Sequence, residues 1–539
     1  MKTKIFFAAL FLFVWIISLN SRAQSSGQWT LTGGGIIQAI DYDDSGNIYV
    51  TGSFVDTTVI FGETVISVGR QDLFIASIKT DGSLNWLKHG GGDWEDHGAD
   101  ICIDHNYVYV VGTYRDQISI GDTVLNSAGT MDVLLVKYDL NGGFQWAESA
   151  GGVNEDKGKS ITSDDSGNVV ITGDINYIAK FGEHTVPYVS FSDMFVAKYN
   201  GDGVCQWATS GGGSIWDGGE CVEIAKNGDV IVAGYFNDQA VFDTITVSGI
   251  DYADVFIARY SSDGAVQEVA SAGGSGGEII QCLAIDSLSN VYISGWYMDN
   301  ITIGGEKHYS SGVYDIFIAK YKPNSGFIWS KSIGGYGSDE ARGMVLSPDN
   351  NILLSGMFEE SVDFGLKTLN SDGWSDGFVA RIDTSGSLDW IIQLGGTGIV
   401  DVNDCVSDLN GNLYIAGNFL DELIIAGESL SITGGMELFL AKVNESASGI
   451  AENTTTLNSG FYPNPFIGSV NFFYTINNKT DVRLNIYNSN GHLVASRIDK
   501  AQLAGKHLIE LSGSKLSPGI YFYILETNEG RSTGKMIKL

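Results

Sequence analysis

Acidic side chains gather in the loops that follow a recurring Gly cluster: Asp93, Glu95 and Asp96; Glu155 and Asp156; Asp217 and Glu220; Glu278; Asp339 and Glu340; Asp401 and Asp404. Hard oxygen donors suit Ca2+, which takes about six to eight of them. Asp93, Asp96, Asp156, Asp217, Asp339 and Asp401 are therefore the candidate metal ligands. The competing reading is a solvated acidic rim whose side chains hydrogen-bond their own turns. Paired carboxylates also serve glycoside hydrolysis, but no single acid breaks the pattern in a way that marks it as catalytic. Nucleophilic chemistry has no foothold. There is no G-x-S-x-G elbow and no H-E-x-x-H, and His89, His97, His105, His184 and His308 share no offset. The segment Asp41-Tyr42-Asp43-Asp44-Ser45-Gly46 begins like an EF-hand loop, but Gly52 stands where the bidentate acid is required, so a turn is expected there. No catalytic or cofactor-binding residue is assigned.

The element that positions these loops is a repeat. DLFIASIKTDGSLNW from Asp72 returns as DVLLVKYDLNGGFQW from Asp132 and DMFVAKYNGDGVCQW from Asp193. It returns again as DVFIARYSSDGAVQE from Asp254, DIFIAKYKPNSGFIW from Asp315 and DGFVARIDTSGSLDW from Asp376. A seventh copy, ELFLAKVNESASG from Glu437, stops before its Trp. The leading acids lie 60 residues apart at the first step and 61 at each later one, and a fixed period of this size signals a repeat architecture. Repeat four is irregular, with Glu268 where Trp is expected and an altered loop at Ser275-Gly276-Gly277, read as relaxed packing, with a pocket as the alternative.

Four strands are expected in each repeat. The first follows the Gly cluster. The second is GNIYVTGSF from Gly46 and its copies, whose inner glycines fall at Gly52, Gly112, Gly173, Gly234, Gly295, Gly356 and Gly417. The third is the Phe-Ile-Ala run, and the fourth carries the Trp. Between the second and third lies a variable hairpin such as VIFGETVISVG. DSGN, DGS and NGG mark the turns. Both faces of the strands are apolar, so each sheet is covered on both sides. Four-stranded sheets of this kind stack face to face in a ring, which leaves only short edges. Gln28-Trp29-Thr30-Leu31 before Gly33 is a detached copy of Asn85-Trp86-Leu87-Lys88 before Gly90. It is the fourth strand that the last repeat lacks, and its place at the other end is what ring closure needs. The expectation is an all-β chain: a seven-bladed β-propeller over residues 24–443, closed by its N-terminal strand.

Composition narrows the partners. With 70 Gly, 6 Pro and 18% charged residues the chain reads as folded and turn-rich. Its formal charge is −33, although the first 23 residues carry three bases and no acid and residues 460–539 carry nine bases against five acids. So acidic a middle repels phosphate backbones, which argues against nucleic acid as a partner. Lys2 and Lys4 before an apolar run that ends in Ser21-Arg22-Ala23 have the layout of a secretory signal peptide, residues 1–23. No other transmembrane segment is visible. Five Cys, odd in number and without CxxC spacing, argue against a zinc site or a disulfide framework.

The block DxFIAKxxxxGxxxW…GG…GNxYxxGxx resembles the bacterial β-propeller repeat called SBBP over residues 28–443. That family is defined by its fold, so the resemblance implies architecture and no activity. Gly precedes Trp by four positions in Gly82/Trp86, Gly142/Trp146, Gly203/Trp207 and Gly386/Trp390. This spacing is similar to the Trp-docking turn of quinoprotein propellers, which implies a structural indole that covers the neighbouring blade.

Residues 444–459, NESASGIAENTTTLNS, read as a linker. Beyond it, alternating apolar runs and Asn-Gly and Pro-Gly turns indicate a small antiparallel β-sandwich over residues 460–539. Tyr462-Pro463-Asn464-Pro465, the Leu484-Asn485-Ile486-Tyr487 strand, Gly519-Ile520-Tyr521 and the Lys535-Met536-Ile537-Lys538-Leu539 ending resemble the C-terminal type A sorting domain of the type IX secretion system in Bacteroidetes. The resemblance implies passage across the outer membrane by that machinery, usual removal of the domain, and surface attachment or release. The expected function is that of a secreted or cell-surface, non-enzymatic binding protein for an extracellular protein or glycan. The alternative is a secreted carbohydrate-active enzyme with acids at the channel mouth.

Overall fold

Apolar runs rich in Val, Ile, Phe and Tyr, broken by Asp-Gly and Asn-Gly turns, favour pleated strands over helices. The computed structural model of the chain is accordingly all-β, with one 3-10 turn among the described residues, at Gly513–Lys515. It describes residues 28–164, 166–365, 367–425, 427–432, 434–444, 459–476, 478–488, 493–527 and 530–539. The expected signal peptide, and the expected linker apart from its two ends, lie outside the described residues. The chain divides into two compact units, Met1–Glu445 and Ser446–Leu539.

In the first unit each repeat forms an antiparallel sheet whose four strands pair in sequence order. Ile36–Tyr42, Ile48–Phe54, Asp72–Ile78 and Leu84–Gly90 form one such sheet. The final sheet uses Ile399–Ser407, Asn412–Leu420 and Glu437–Asn444, and its fourth strand is Trp29–Gly34, with Trp29 opposite Lys442 and Gly34 opposite Glu437. The second and third strands, such as Ile48–Phe54 and Asp72–Ile78, are buried along their whole length. Neighbouring sheets share cores: Tyr49, Leu73 and Ile75 pack with Val108, Tyr114 and Leu134. Trp29, Ile48 and Phe74 pack with Tyr414 and Leu438, so the first and last sheets share one as well.

Three local devices lock this packing. Five of the repeat indoles donate their N–H to a turn carbonyl of the next sheet: Trp86 to Leu140 at 3.0 Å, Trp146 to Gly201 at 3.1 Å, Trp207 to Ser262 at 3.1 Å, Trp329 to Thr384 at 3.1 Å and Trp29 to Thr80 at 3.2 Å. The variable hairpins pair back onto the preceding sheet through its Gly cluster, as where Gly334 and Gly335 face Asp363 and Val362. The inner glycine of the second strand makes room for a β-bulge in the first strand. A Cβ on Gly52 would fall on the Ile36 carbonyl oxygen, and one on Gly112 on that of His97.

The second unit holds two sheets. Ser459–Tyr462, Ser469–Ile476 and Gly505–Ser512 form one, and Leu493–Gln502, Thr480–Asn488, Gly519–Thr527 and Gly530–Lys538 form the other. Phe466, Val470, Phe472, Leu484, Ile486, Leu525 and Met536 make the core between them. The Tyr462-Pro463-Asn464-Pro465 motif is tied to the end of the chain, since the Asn464 amide donates to the Lys535 carbonyl at 3.1 Å and accepts from the Ile537 N–H at 2.8 Å.

Candidate functional site

The first strands of successive repeats line a channel of about 390 Å3. In every repeat the bulge sits at the same point, between Ile37 and Ala39 in the first and between Val402 and Asp404 in the last. The bulged residues are Gln38, Ala99, Lys159, Glu220, Gln281, Arg342 and Asn403, and together they line the channel mouth, a space of about 460 Å3. Bulges re-aim side chains, and here they aim seven at one opening: three carboxamides, two cations, one carboxylate and a methyl group. Lys159 is paired with Glu220 at 2.6 Å and Asp174 at 2.8 Å; Arg342 is paired with Asp401 at 3.0 Å and Glu340 at 3.3 Å. Gln281 keeps an unpartnered amide oxygen, and Ala99 leaves a gap in the polar ring.

Deeper in the channel stand Asp41, Asp100, Glu223 and Asp404. Each aspartate carries out the same structural task. The first strand is an inner edge whose N–H groups have no ladder partner on that side, and the carboxylate of one repeat accepts from the strand of the next. Asp41 accepts from Ile103 N at 2.8 Å and Asp100 from Ile161 N at 2.9 Å, whereas Glu223 accepts from the Thr162 hydroxyl of the preceding repeat at 3.1 Å. Desolvation raises these groups, to about 7 at Asp41 and Glu223, about 6 at Asp100 and about 8 at Asp404, and repulsion from neighbouring acids adds to it at Asp41, Glu223 and Asp404. Cys102, Cys221, Cys282 and Cys405 lie in the same strands, and all five cysteines are free and buried.

The acids singled out as metal candidates take up separate posts. Asp96, Asp156, Asp217 and Asp339 are buried, one per loop. Each accepts from the amide four residues earlier: Gly92 at 2.7 Å, Gly152 at 2.6 Å, Gly213 at 2.5 Å and Gly335 at 2.7 Å. Glu278 does the same with Gly274 at 3.2 Å. Burial pushes them up, to about 7 at Asp96 and Asp217, 6 at Asp156, 8 at Asp339 and 9 at Glu278. Asp401 is engaged by Arg342, and Asp93 is exposed. The oxygens proposed for Ca2+ are thus dispersed over successive loops; in Asp96, Asp156 and Asp217 both oxygens accept from backbone N–H groups, and in Asp339 one does while Oδ1 is left without a partner. Among the described residues no three His, Cys, Asp or Glu side chains are grouped to hold a metal ion.

A surface that motif reading missed lies on the loops at this end of the channel. The segment before each third strand runs alongside the Gly-cluster loop, as in the bridges Ser192–Trp216, Tyr314–Ser338 and Ser375–Ile399. Two residues before the leading acid stand Arg70, Thr130, Phe191, Tyr252, Val313 and Trp374 in the first six repeats and Gly435 in the seventh. Phe191 is 58% exposed, Tyr252 71% and Trp374 78%. Trp216, which meets Phe191 edge-on at 5.8 Å, and Tyr336 are exposed beside them. In the first repeats charge replaces this apolar arc: Trp94 lies under Arg70 at 4.7 Å and Arg115 at 5.7 Å, and both arginines pair with Glu95. The shared offset from the leading acid is the signal that would have found these rings.

Residues 460–539 match the family described as the secretion system C-terminal sorting domain. The chain is 21% identical over 485 residues to the uncharacterized WD repeat-containing protein L264 of Acanthamoeba polyphaga mimivirus, covering 70% of this chain and 34% of that protein. It is 23% identical over 390 residues to the regulatory protein FlaEY of Caulobacter vibrioides, covering 65% and 39%. The chain therefore spans little more than a third of the length of these relatives. Among solved structures it is similar to YCF48 bound to a D1 peptide, with a TM-score of 0.30, 11% identity and coverage of 71% of this chain and 94% of that one. It is also similar to PorZ, a surface component of the type IX secretion system of Porphyromonas gingivalis, with a TM-score of 0.18, 10% identity and coverage of 95% and 100%. The sorting domain implies the type IX machinery and export to the cell surface or beyond, ahead of which lies a propeller-like repeat fold. Among the described residues no helix is long and apolar enough to cross a membrane.

Proposed function

We propose that the chain is a non-enzymatic binding protein of the bacterial cell surface or medium. In this reading residues 24–443 are a seven-bladed β-propeller of SBBP type, closed by the Trp29 strand, residues 444–459 are a linker, and the signal peptide and residues 460–539 carry the protein out through the type IX route of a Bacteroidetes cell. The observation that carries the binding role is the arc of exposed rings, Phe191, Tyr252 and Trp374 at one offset with Trp216 and Tyr336 between them. Large aromatic side chains bury much area at little entropic cost, which is why they anchor partners, and contiguous exposed apolar surface marks interaction sites. The partner is an extracellular protein or glycan. Support for a binding role over hydrolysis comes from the channel aspartates, whose oxygens are engaged by backbone amides.

A glycan array and a pull-down with the mature chain test this. The expected result is a retained partner that is lost with Tyr252→Ala plus Trp374→Ala, at an unchanged melting temperature. Turnover of a polysaccharide in the absence of any retained ligand would defeat it.

A further inference from the structure

At most junctions between neighbouring sheets three groups recur. An indole covers the turn glycine of the next sheet: Cβ atoms built on Gly82, Gly142, Gly203 and Gly264 would meet Trp29, Trp86, Trp146 and Trp207 at 2.7 to 3.1 Å. A Tyr of the second strand packs beside the indole in four sheets, Tyr49 on Trp86 at 6.0 Å, Tyr109 on Trp146 at 6.2 Å, Tyr292 on Trp329 at 6.3 Å and Tyr414 on Trp29 at 6.1 Å. Its hydroxyl donates to an Asp of the first turn, as from Tyr49 to Asp43 at 3.0 Å.

The junction after the fourth repeat lacks all three. At the matching offsets stand Ala225 for the Asp, Ile231 for the Tyr and Glu268 for the Trp, and Ser325 replaces the turn glycine that the indole would cover. Two rings are missing, and the junction has not collapsed onto the space. A cavity of about 250 Å3 remains, with Ala225, Ile231, Ile285 and Val291 along its wall and Arg259 and Lys322 beside them. Glu268, at the indole's position, reverses the usual polarity. Where the indole would donate to the turn, its carboxylate accepts from Asn324 N at 3.0 Å and from the Tyr321 hydroxyl at 2.7 Å. Arg259 is braced by Asp229 at 3.1 Å and Asn324 at 3.2 Å.

We propose that this cavity binds one planar aromatic ring from outside the chain, replacing the Tyr and Trp rings absent here. Its volume is below the ~300–1,000 Å3 typical of drug-sized sites and fits a single ring. The aliphatic wall accepts the ring faces, and a fixed guanidinium offers a cation–π contact. The ring belongs to a free small molecule or to a polypeptide side chain, the chemistry being the same.

Saturation-transfer NMR on the mature chain, with indole and p-cresol as probes and cyclohexanol as the aliphatic control, tests the proposal. The aromatic probes are expected to bind in mutual competition, and cyclohexanol is not. Ile231→Tyr and Glu268→Trp, which restore the rings of the other junctions, should each weaken binding at least tenfold while the melting temperature holds or rises. Ala225→Leu gives the same loss if Glu268→Trp disturbs the fold. Tighter binding of a Trp-containing peptide than of N-acetyltryptophanamide assigns the source to polypeptide, and equal binding assigns it to a small molecule. Failure of the wild type to bind either aromatic probe, or binding that survives both Ile231→Tyr and Ala225→Leu, overturns the proposal.

Discussion

The Asp404 carboxylate accepts a hydrogen bond of 3.0 Å from the backbone N–H of Ile40, 364 residues away. It applies between the last repeat and the first the device that Asp41 and Asp100 apply between neighbours. Leaving a buried N–H without its acceptor costs about 1–3 kcal/mol. Asp404→Ala should lower unfolding free energy by that amount, and Asp404→Asn, which keeps an acceptor, by less. Chemical denaturation of the three proteins checks the order.

Stability should fall as pH rises from about 5 to 9. Burial raises Asp404 and Asp339 to about 8 and Glu278 to about 9, whereas unfolded carboxyls titrate near ~4. Between those values the folded chain holds protons that the unfolded chain releases, so raising the pH favours unfolding. The contribution is complete below pH 4 and is lost as pH passes through 8 to 9. Melting temperatures across this range should slope downward, and Glu278→Gln should flatten the slope. A midpoint that rises from pH 5 to 9 would contradict the assignment.

The repeat was legible because its period is kept by residues with one structural job each. The leading Asp caps the turn before its strand, as Asp72 does in accepting from Val68 N at 3.0 Å, and Trp docks on the next turn. The acids after the Gly clusters were legible as a group but not in their role. An Asp four residues past a Gly serves equally as a loop cap or as a metal ligand until its partners are known. The channel mouth was not legible at all. Its seven residues occupy a bulge, which breaks the two-residue alternation of a strand, and no one residue type recurs through all the repeats: carboxamides at Gln38, Gln281 and Asn403 stand among charged and apolar residues. Glu268 stood out as the missing Trp, but Ala225 and Ile231 looked like ordinary strand-end residues until the cavity joined them.

Calcium should leave the fold unchanged. With Asp96, Asp156, Asp217 and Asp339 bonded to backbone amides and standing in separate loops, a cation would have to displace those bonds to bind. Thermal melts in excess EDTA and in millimolar CaCl2 should coincide. A chelator-induced drop of the midpoint would restore the metal-centre reading of these loops.

Two glycines at or just after the end of a fourth strand should respond oppositely to the same change, because their surroundings differ. A Cβ on Gly335 would fall on the Ser361 carbonyl oxygen, where the hairpin of one sheet is stitched to the last strand of its neighbour. Backbone cannot step aside there without breaking the pairing, so Gly335→Ala should destabilise by about 1–3 kcal/mol, the usual cost of overpacking. Gly277, in the irregular loop before the fifth sheet, has nothing within 4 Å of its Cβ position. Gly277→Ala loses only unfolded-state freedom and should stabilise by about 0.4–1 kcal/mol. Denaturant midpoints of the two variants against wild type measure both signs, and a neutral Gly335→Ala would mean that the stitched pairing yields where the close approach says it is rigid.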